Sequence, residues 1–178
     1  MNKDGKKDFL IATPWTHVED DEFGNLQIYL QGPDRDGDGV PNFERVRRNQ
    51  ALSDTKNRYT CLEAADLDKD GDLDFVATGR REWYNDTERN QINRVFLNDG
   101  KCNFTVKDLP GNVISKGVEI GDVNGDGHLD IFIANGHPHH EYPENAVLAR
   151  NDGKVFFVDV ARRAGDFFQT KKWFSRGA

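Results

Sequence analysis

The sequence predicts an all-β chain made of four-stranded antiparallel meanders, the blades of a β-propeller. Three observations lead there. An Asp-rich stretch recurs in register, as NKDGKKD at 2–8, DLDKDGDLD at 66–74 and DVNGDGHLD at 122–130. Each copy runs straight into a short apolar segment, FLIA, FVATG or IFIANG, too short and too rich in β-branched and aromatic residues for a helix. The tetrapeptide NDGK stands at 98–101 and again at 151–154, a tight-turn signal between two further strand-length runs. Self-similarity at a period of roughly 60 residues is the mark of a repeat architecture, and four short strands per period describe a propeller blade. A β-sandwich would require three loops in the same register to be a coincidence.

Taken in order, residues 1–55 form a first blade that lacks its opening strand and carries an extra Asp-rich turn at 33–42. Its strands are FLIA, LQIYLQ and FERVRR, and the extra turn accounts for the longer first period. Residues 56–111 form a complete second blade and 112–165 a complete third. Residues 166–178, ending KKWFSRGA, stand where the opening strands of the earlier units stand and are expected to begin a next blade. Propellers close with roughly four to eight blades. About three blades, with both ends inside a repeat, predict an incomplete propeller: an internal piece of a longer chain whose further blades, and any secretion signal, lie outside it.

Composition narrows the function. Of 178 residues, 36% are hydrophobic and 31% charged, with a formal net charge of −7. This suits a globular chain, and the acidic balance argues against nucleic acid, which needs clustered Lys and Arg. No apolar run approaches the roughly 20 residues of a membrane-spanning helix, so no membrane insertion is expected. Cys61 and Cys102 are too few for a disulfide scaffold, and they fall at opposite ends of a blade, so two free thiols are expected.

The Asp-rich loops point to a metal. Side chains at alternate places of a tight loop converge on one point, Gly at place six makes the sharp turn, place seven offers its carbonyl and place nine closes the shell. That number of hard oxygen ligands suits Ca²⁺ better than Mg²⁺. In loop two the candidate ligands are Asp66, Asp68, Asp70, the carbonyl of Asp72, and Asp74. Loop three offers Asp122, Asn124, Asp126, the carbonyl of His128, and Asp130. Loop one retains Asn2, Asp4, the carbonyl of Lys6, and Asp8, without a first ligand. An EF-hand starts alike but needs Glu at place twelve and flanking helices. Here place twelve is Ile11, Ala77 or Ile133, and a strand follows.

These loops resemble the calcium loops of FG-GAP or VCBS-type repeats, as in the propeller of integrin α-subunits, over nearly the whole chain. The segment RNDGKVFFVDVARRAG, followed by WFSRGA, is similar to secreted repeat proteins related to cartilage acidic protein. The resemblance implies a seven-bladed propeller, extracellular or cell-surface placement, and metal loops that brace blades without doing chemistry. The extra turn DRDGDGVPNFE resembles the calcium motif of thrombospondin type-3 repeats, with Asp34, Asp36, Asp38, the carbonyl of Val40, and Asn42 as ligands of a further Ca²⁺ site.

In a meander the first–second and third–fourth turns share one face, which therefore carries every metal loop. The second–third loops on the other face present Trp15, His17, Trp83, Tyr84, His137, His139, His140 and Tyr142. Long loops on a rigid scaffold carry function, and exposed aromatics anchor proteins or stack on sugars. That face is expected to recognise an extracellular protein or glycan. The run His137-Pro138-His139-His140-Glu141 has no spacing that aims its rings at one Zn²⁺. No nucleophile elbow or catalytic pair is visible, so the chain is expected not to be an enzyme. The alternative is the propeller part of a polysaccharide lyase or another secreted carbohydrate-active enzyme.

Overall fold

A computed structural model describes residues 1–13, 26–47, 49–52, 59–79, 92–111, 115–135 and 146–165. The architecture is all-β: three antiparallel sheets, each a meander in chain order. Sheet one contains β1 (Phe9–Ala12), β2 (Leu26–Gln31) and β3 (Phe43–Arg45). Sheet two contains β4 (Tyr59–Ala65), β5 (Asp74–Gly79), β6 (Arg94–Asn98) and β7 (Phe104–Asp108). Sheet three contains β8 (Ser115–Gly121), β9 (Asp130–Asn135), β10 (Val147–Asn151) and β11 (Phe157–Asp159). Single 3-10 turns at Gln50–Leu52 and Ala161–Arg163 follow the outer strands β3 and β11. Among the described residues no helix is long and apolar enough to cross a membrane.

The repeat is visible in the register. In sheet two Ala65 pairs with Asp74 and Leu62 with Ala77; in sheet three Gly121 pairs with Asp130 and Val118 with Ile133. Both opening strands are irregular at the same place, between Tyr59 and Cys61 and between Ser115 and Gly117. A shift shared by two copies is a designed feature that sharpens the local twist. The outer strand of sheet one is shorter than the FERVRR run: β3 ends at Arg45, and one more bond, from the Val46 amide to the Ile28 carbonyl, closes the pairing.

Sheets stack face to face, so one core lies between sheets one and two and another between sheets two and three. The middle sheet is covered on both sides. Phe75, Ala77 and Phe96 face the first core; Val76 and Val95 face the second. This is why β5 reads as a continuous buried run and not as an alternation. Phe75 and Phe96 stack with ring centroids 4.5 Å apart, and Tyr59 meets Phe96 edge-on at 6.1 Å. Such pairs add about 0.5–1.5 kcal/mol beyond area burial.

Candidate metal centres

Loop two lies between β4 and β5. Its carboxylates Asp66, Asp68 and Asp74 each bring an oxygen within 4.8 Å of the other two. Asp70 lies in the same loop, and its Oδ1 accepts the Asp72 amide at 2.8 Å. The Gly71 amide donates to Asp66 Oδ2 at 3.1 Å, whereas Asp66 Oδ1 is buried and has no hydrogen-bond partner. A buried anionic oxygen without a donor is costly, and a cation at the centre of the cluster would satisfy it. Burial pushes the Asp74 carboxyl up to about 6; the amides of Asn98 and Leu67 oppose this, and the charges of Asp68 and Asp70 add to it. Partial desolvation and the neighbouring Asp70 and Asp66 likewise raise Asp68. The loop thus concentrates negative charge in a partly desolvated corner. Its donor set, all hard oxygen, fits Ca²⁺.

The other loops share its backbone. Places four and six adopt positive φ in every copy: Lys3 and Gly5, Lys69 and Gly71, Gly125 and Gly127, and in the extra turn Gly37 and Gly39. Lys3 and Lys69, at 59° and 63°, accept a conformation that ordinarily favours Gly. In the extra turn, oxygens of Asp34, Asp36 and Asp38 also lie within 4.8 Å of one another. Its Asp34 accepts the amides of Gly37 and Gly39, both at 2.8 Å, and these bonds hold its carboxyl below the usual range. The Asn42 side-chain amide donates to the Pro33 carbonyl at 3.0 Å.

Loop three differs. Asp122 takes the Gly125 and Asp126 amides on Oδ1 and the Gly127 amide on Oδ2. With an amide, Asn124, at place three, its remaining carboxylates do not form a triad as compact as that of loop two. The Asn124 amide donates to Asp126 Oδ2 at 2.8 Å. The His128 amide at 2.9 Å is the main cause of a lowered Asp126 pKa. In loop one Asn2 donates to Asp4 at 3.2 Å, and the Lys6 amide holds Asp4 below the usual range.

Place nine has a second duty that the spacing does not reveal. Asp74 Oδ2 accepts the Leu67 amide at 2.9 Å, and Oδ1 accepts the Asn98 amide at 2.8 Å. Asp130 does the same with Val123 and Asn151, at 3.1 and 2.8 Å. Asp8 does so with the amino group of Met1 and the Gln31 amide, at 2.8 and 3.0 Å. One carboxylate therefore clamps the start of its loop to the last residue of β2, β6 or β10, in all three sheets.

The Asn of each NDGK turn completes the clamp and reaches across to the preceding sheet. The Asn98 amide donates to Leu73 O at 3.2 Å and to Met1 O at 2.7 Å. The Asn151 amide donates to Leu129 O at 3.2 Å and to Leu67 O at 3.3 Å. Place two of loops one and two is thereby held by the next blade. Place four reaches forward as well. Lys3 Nζ lies 2.8 Å from buried Asp72 Oδ1, close enough to pair in charge though not aligned as a hydrogen bond. A Cβ on Gly127 would lie 3.5 Å from Lys69 Nζ, so that ammonium sits against loop three. The glycines of the NDGK turns leave room for place seven: a Cβ on Gly100 would come within 2.8 Å of Asp72 Oδ2, and one on Gly153 within 2.7 Å of His128 Nε2.

Both cysteines are free, Cys102 buried and Cys61 partly so. The eight aromatic and histidine positions expected to form a recognition face, Trp15, His17, Trp83, Tyr84, His137, His139, His140 and Tyr142, lie outside the described residues, as does the segment 166–178. No curated protein sequence and no solved structure matches the chain. Residues 1–77, which span sheet one, loop two and the start of β5, match the family model of the FG-GAP-like repeat.

Proposed function

We propose that the chain is a calcium-binding repeat region of an extracellular adhesion or ligand-binding protein, in which the metal loops are structural. The observation that carries the reading is loop two: three convergent carboxylates, one of them with a buried oxygen that no protein group satisfies. Asp66, Asp68, Asp70 and Asp74 with the carbonyl of Asp72 would hold the ion, whose positive charge would neutralise the cluster and tie β4 to β5. The extra turn, through Asp34, Asp36 and Asp38, is the next best donor set. Loops one and three would bind more weakly: loop one lacks a first ligand, and loop three has the neutral Asn124 where loop two has Asp68. The FG-GAP-like match over residues 1–77 supports a repeat region of extracellular type. The second–third loops, by their sequence, supply the recognition face.

Calorimetry on EDTA-stripped protein tests the metal. Heat of binding is expected on adding Ca²⁺, with a rise in melting temperature, and Asp66→Asn together with Asp68→Asn should remove the tightest site. Affinity is expected toward the millimolar end typical of extracellular modules. No heat and an unchanged melt would end the reading. For recognition, binding to a glycan array or to candidate proteins should be lost when Trp15, Trp83 and Tyr84 become Ala; retained binding would move the site elsewhere.

A further inference from the structure

The acidic loops share one backbone demand and meet it with different residues. Place four takes positive φ in each, at Lys3, Gly37, Lys69 and Gly125. Glycine meets that demand without strain. In loop three it has a chemical consequence, because the residue before it is Asn124. When glycine follows asparagine, no Cβ stands beside the next backbone nitrogen, which can then reach the side-chain Cγ. The chain has two such pairs, Asn124-Gly125 and Asn135-Gly136. Their asparagines sit in opposite surroundings. Asn135 is 1% exposed, and its Oδ1 accepts the Ser115 hydroxyl at 3.3 Å. Asn124 and Gly125 are both exposed, and a Cβ on Gly125 would meet nothing within 4 Å. Loop one repeats the asparagine, as Asn2, but follows it with Lys3.

We propose that Asn124 is a site of spontaneous deamidation, which turns the neutral third place of loop three into a carboxylate. The Gly125 nitrogen bonds to Asn124 Cγ and gives its proton to solvent. The Cγ–Nδ2 bond breaks, and Nδ2 takes a proton from water and leaves as ammonia. Polar groups of the loop stand ready for this step. Asp122 Oδ1 accepts the Gly125 N–H at 2.8 Å, where the proton must depart. The Asp126 amide donates to Asn124 Oδ1 at 3.0 Å, where negative charge develops as Cγ is attacked. A water molecule then opens the five-membered imide. Opening at Cγ leaves aspartate, the residue that loop two has as Asp68. Opening at the backbone carbonyl carbon leaves an isoaspartyl link, which lengthens the main chain by a methylene between places three and four. That link displaces the amides of Gly125, Asp126 and Gly127, which Asp122 holds.

Incubation of the intact chain in EDTA and mildly alkaline buffer tests this, read by peptide mass spectrometry and by isoaspartate-specific methylation. The peptide containing Asn124 should convert to the acid, with its isoaspartyl form appearing alongside. Conversion should be at least about tenfold faster than at Asn135, where attack must first break a buried hydrogen bond. Gly125→Lys puts at place four the residue that loops one and two hold there at positive φ, and it should slow conversion about tenfold or more. Conversion at Asn124 no faster than at Asn135, or an unchanged rate in Gly125→Lys, would overturn the proposal. A parallel incubation in excess Ca²⁺ rests on the reading of loop three as a metal site. An ion held by Asn124 Oδ1 would pin the side chain away from the Gly125 nitrogen, so conversion should slow. Equal rates with and without calcium would overturn that reading of loop three and leave the modification standing.

Discussion

Replacing Asn151 tests whether one side chain fastens two blades. It is buried and makes four side-chain hydrogen bonds: it donates to Leu67 O at 3.3 Å and Leu129 O at 3.2 Å, and it accepts from Gly153 at 3.0 Å and Val155 at 3.2 Å. At about 1 kcal/mol net for each bond, Asn151→Ala should cost about 3–4 kcal/mol. That is a large share of a domain stability of about 5–15 kcal/mol. Asn151→Asp separates the two roles. It keeps an oxygen for the Gly153 and Val155 amides, so the turn survives, but it sets a carboxylate against the carbonyls of Leu67 and Leu129. Urea unfolding at fixed Ca²⁺ reads both variants. If the contact with Leu67 matters, Asp should be no better than Ala. A midpoint for Asn151→Asp within about 0.5 kcal/mol of wild type would mean that the residue shapes only its own turn, and the blade-to-blade argument would fail.

Phe75→Ala empties the stack against Phe96 and should cost about 3–5 kcal/mol in the same urea assay. Gly100→Ala should destabilise more than Gly37→Ala, although both have positive φ, because the new methyl meets buried Asp72 in one case and open space in the other; thermal melts rank them. Asp74 makes the pH dependence change sign with calcium. In EDTA the folded chain holds this proton up to about 6, while an ordinary Asp releases it near 3.8, so the group's contribution is present below that lower value and is lost as pH rises through about 6. Calcium needs the carboxylate, so its affinity should fall as pH drops below about 6, and melts at pH 5 and pH 7 with and without Ca²⁺ should show opposite trends.

The strands, their order and the loop register were legible because each rests on local pattern. Alternating acids, a following apolar run and an NDGK turn all act within a few residues. The exclusion of an EF-hand was equally local, since Ile11, Ala77 and Ile133 occupy the place where that loop needs Glu. The clamp was not legible. Asp74 reads as one more ligand in a row of acids, and nothing near it announces that both oxygens are bound to amides, one from its own loop and one from Asn98. Asn98 and Asn151 read as ordinary turn formers, residues whose side chains commonly satisfy nearby backbone. Their partners Met1 and Leu67 are 97 and 84 positions away, a separation that only the stacking of sheets brings together. One signal was available: Asn precedes Asp-Gly in both turns, always aligned with the last acid of its own loop.

The clamp also changes what a cation would be needed for. The corners are already held by carboxylate–nitrogen bonds: Asp122 binds three amides of its loop, Asp34 binds two, and place nine binds two amides in sheets two and three and one amide and the Met1 amino group in sheet one. These bonds use carboxylate lone pairs that can coexist with a bound ion, since each oxygen offers more than one. Calcium would therefore add to a shaped corner and relieve its charge, and it would act most where a lone pair is left without a donor, at Asp66 Oδ1. Loop two is also the loop whose second place, Leu67, is buried between sheets and held by Asn151 of the next blade. An ion there would stiffen the joint between blades two and three through that carbonyl. It follows that Asn151→Ala should weaken calcium binding at loop two, although Asn151 belongs to another blade and offers the ion no ligand. Equal affinities in the two proteins would show that metal site and blade joint are independent.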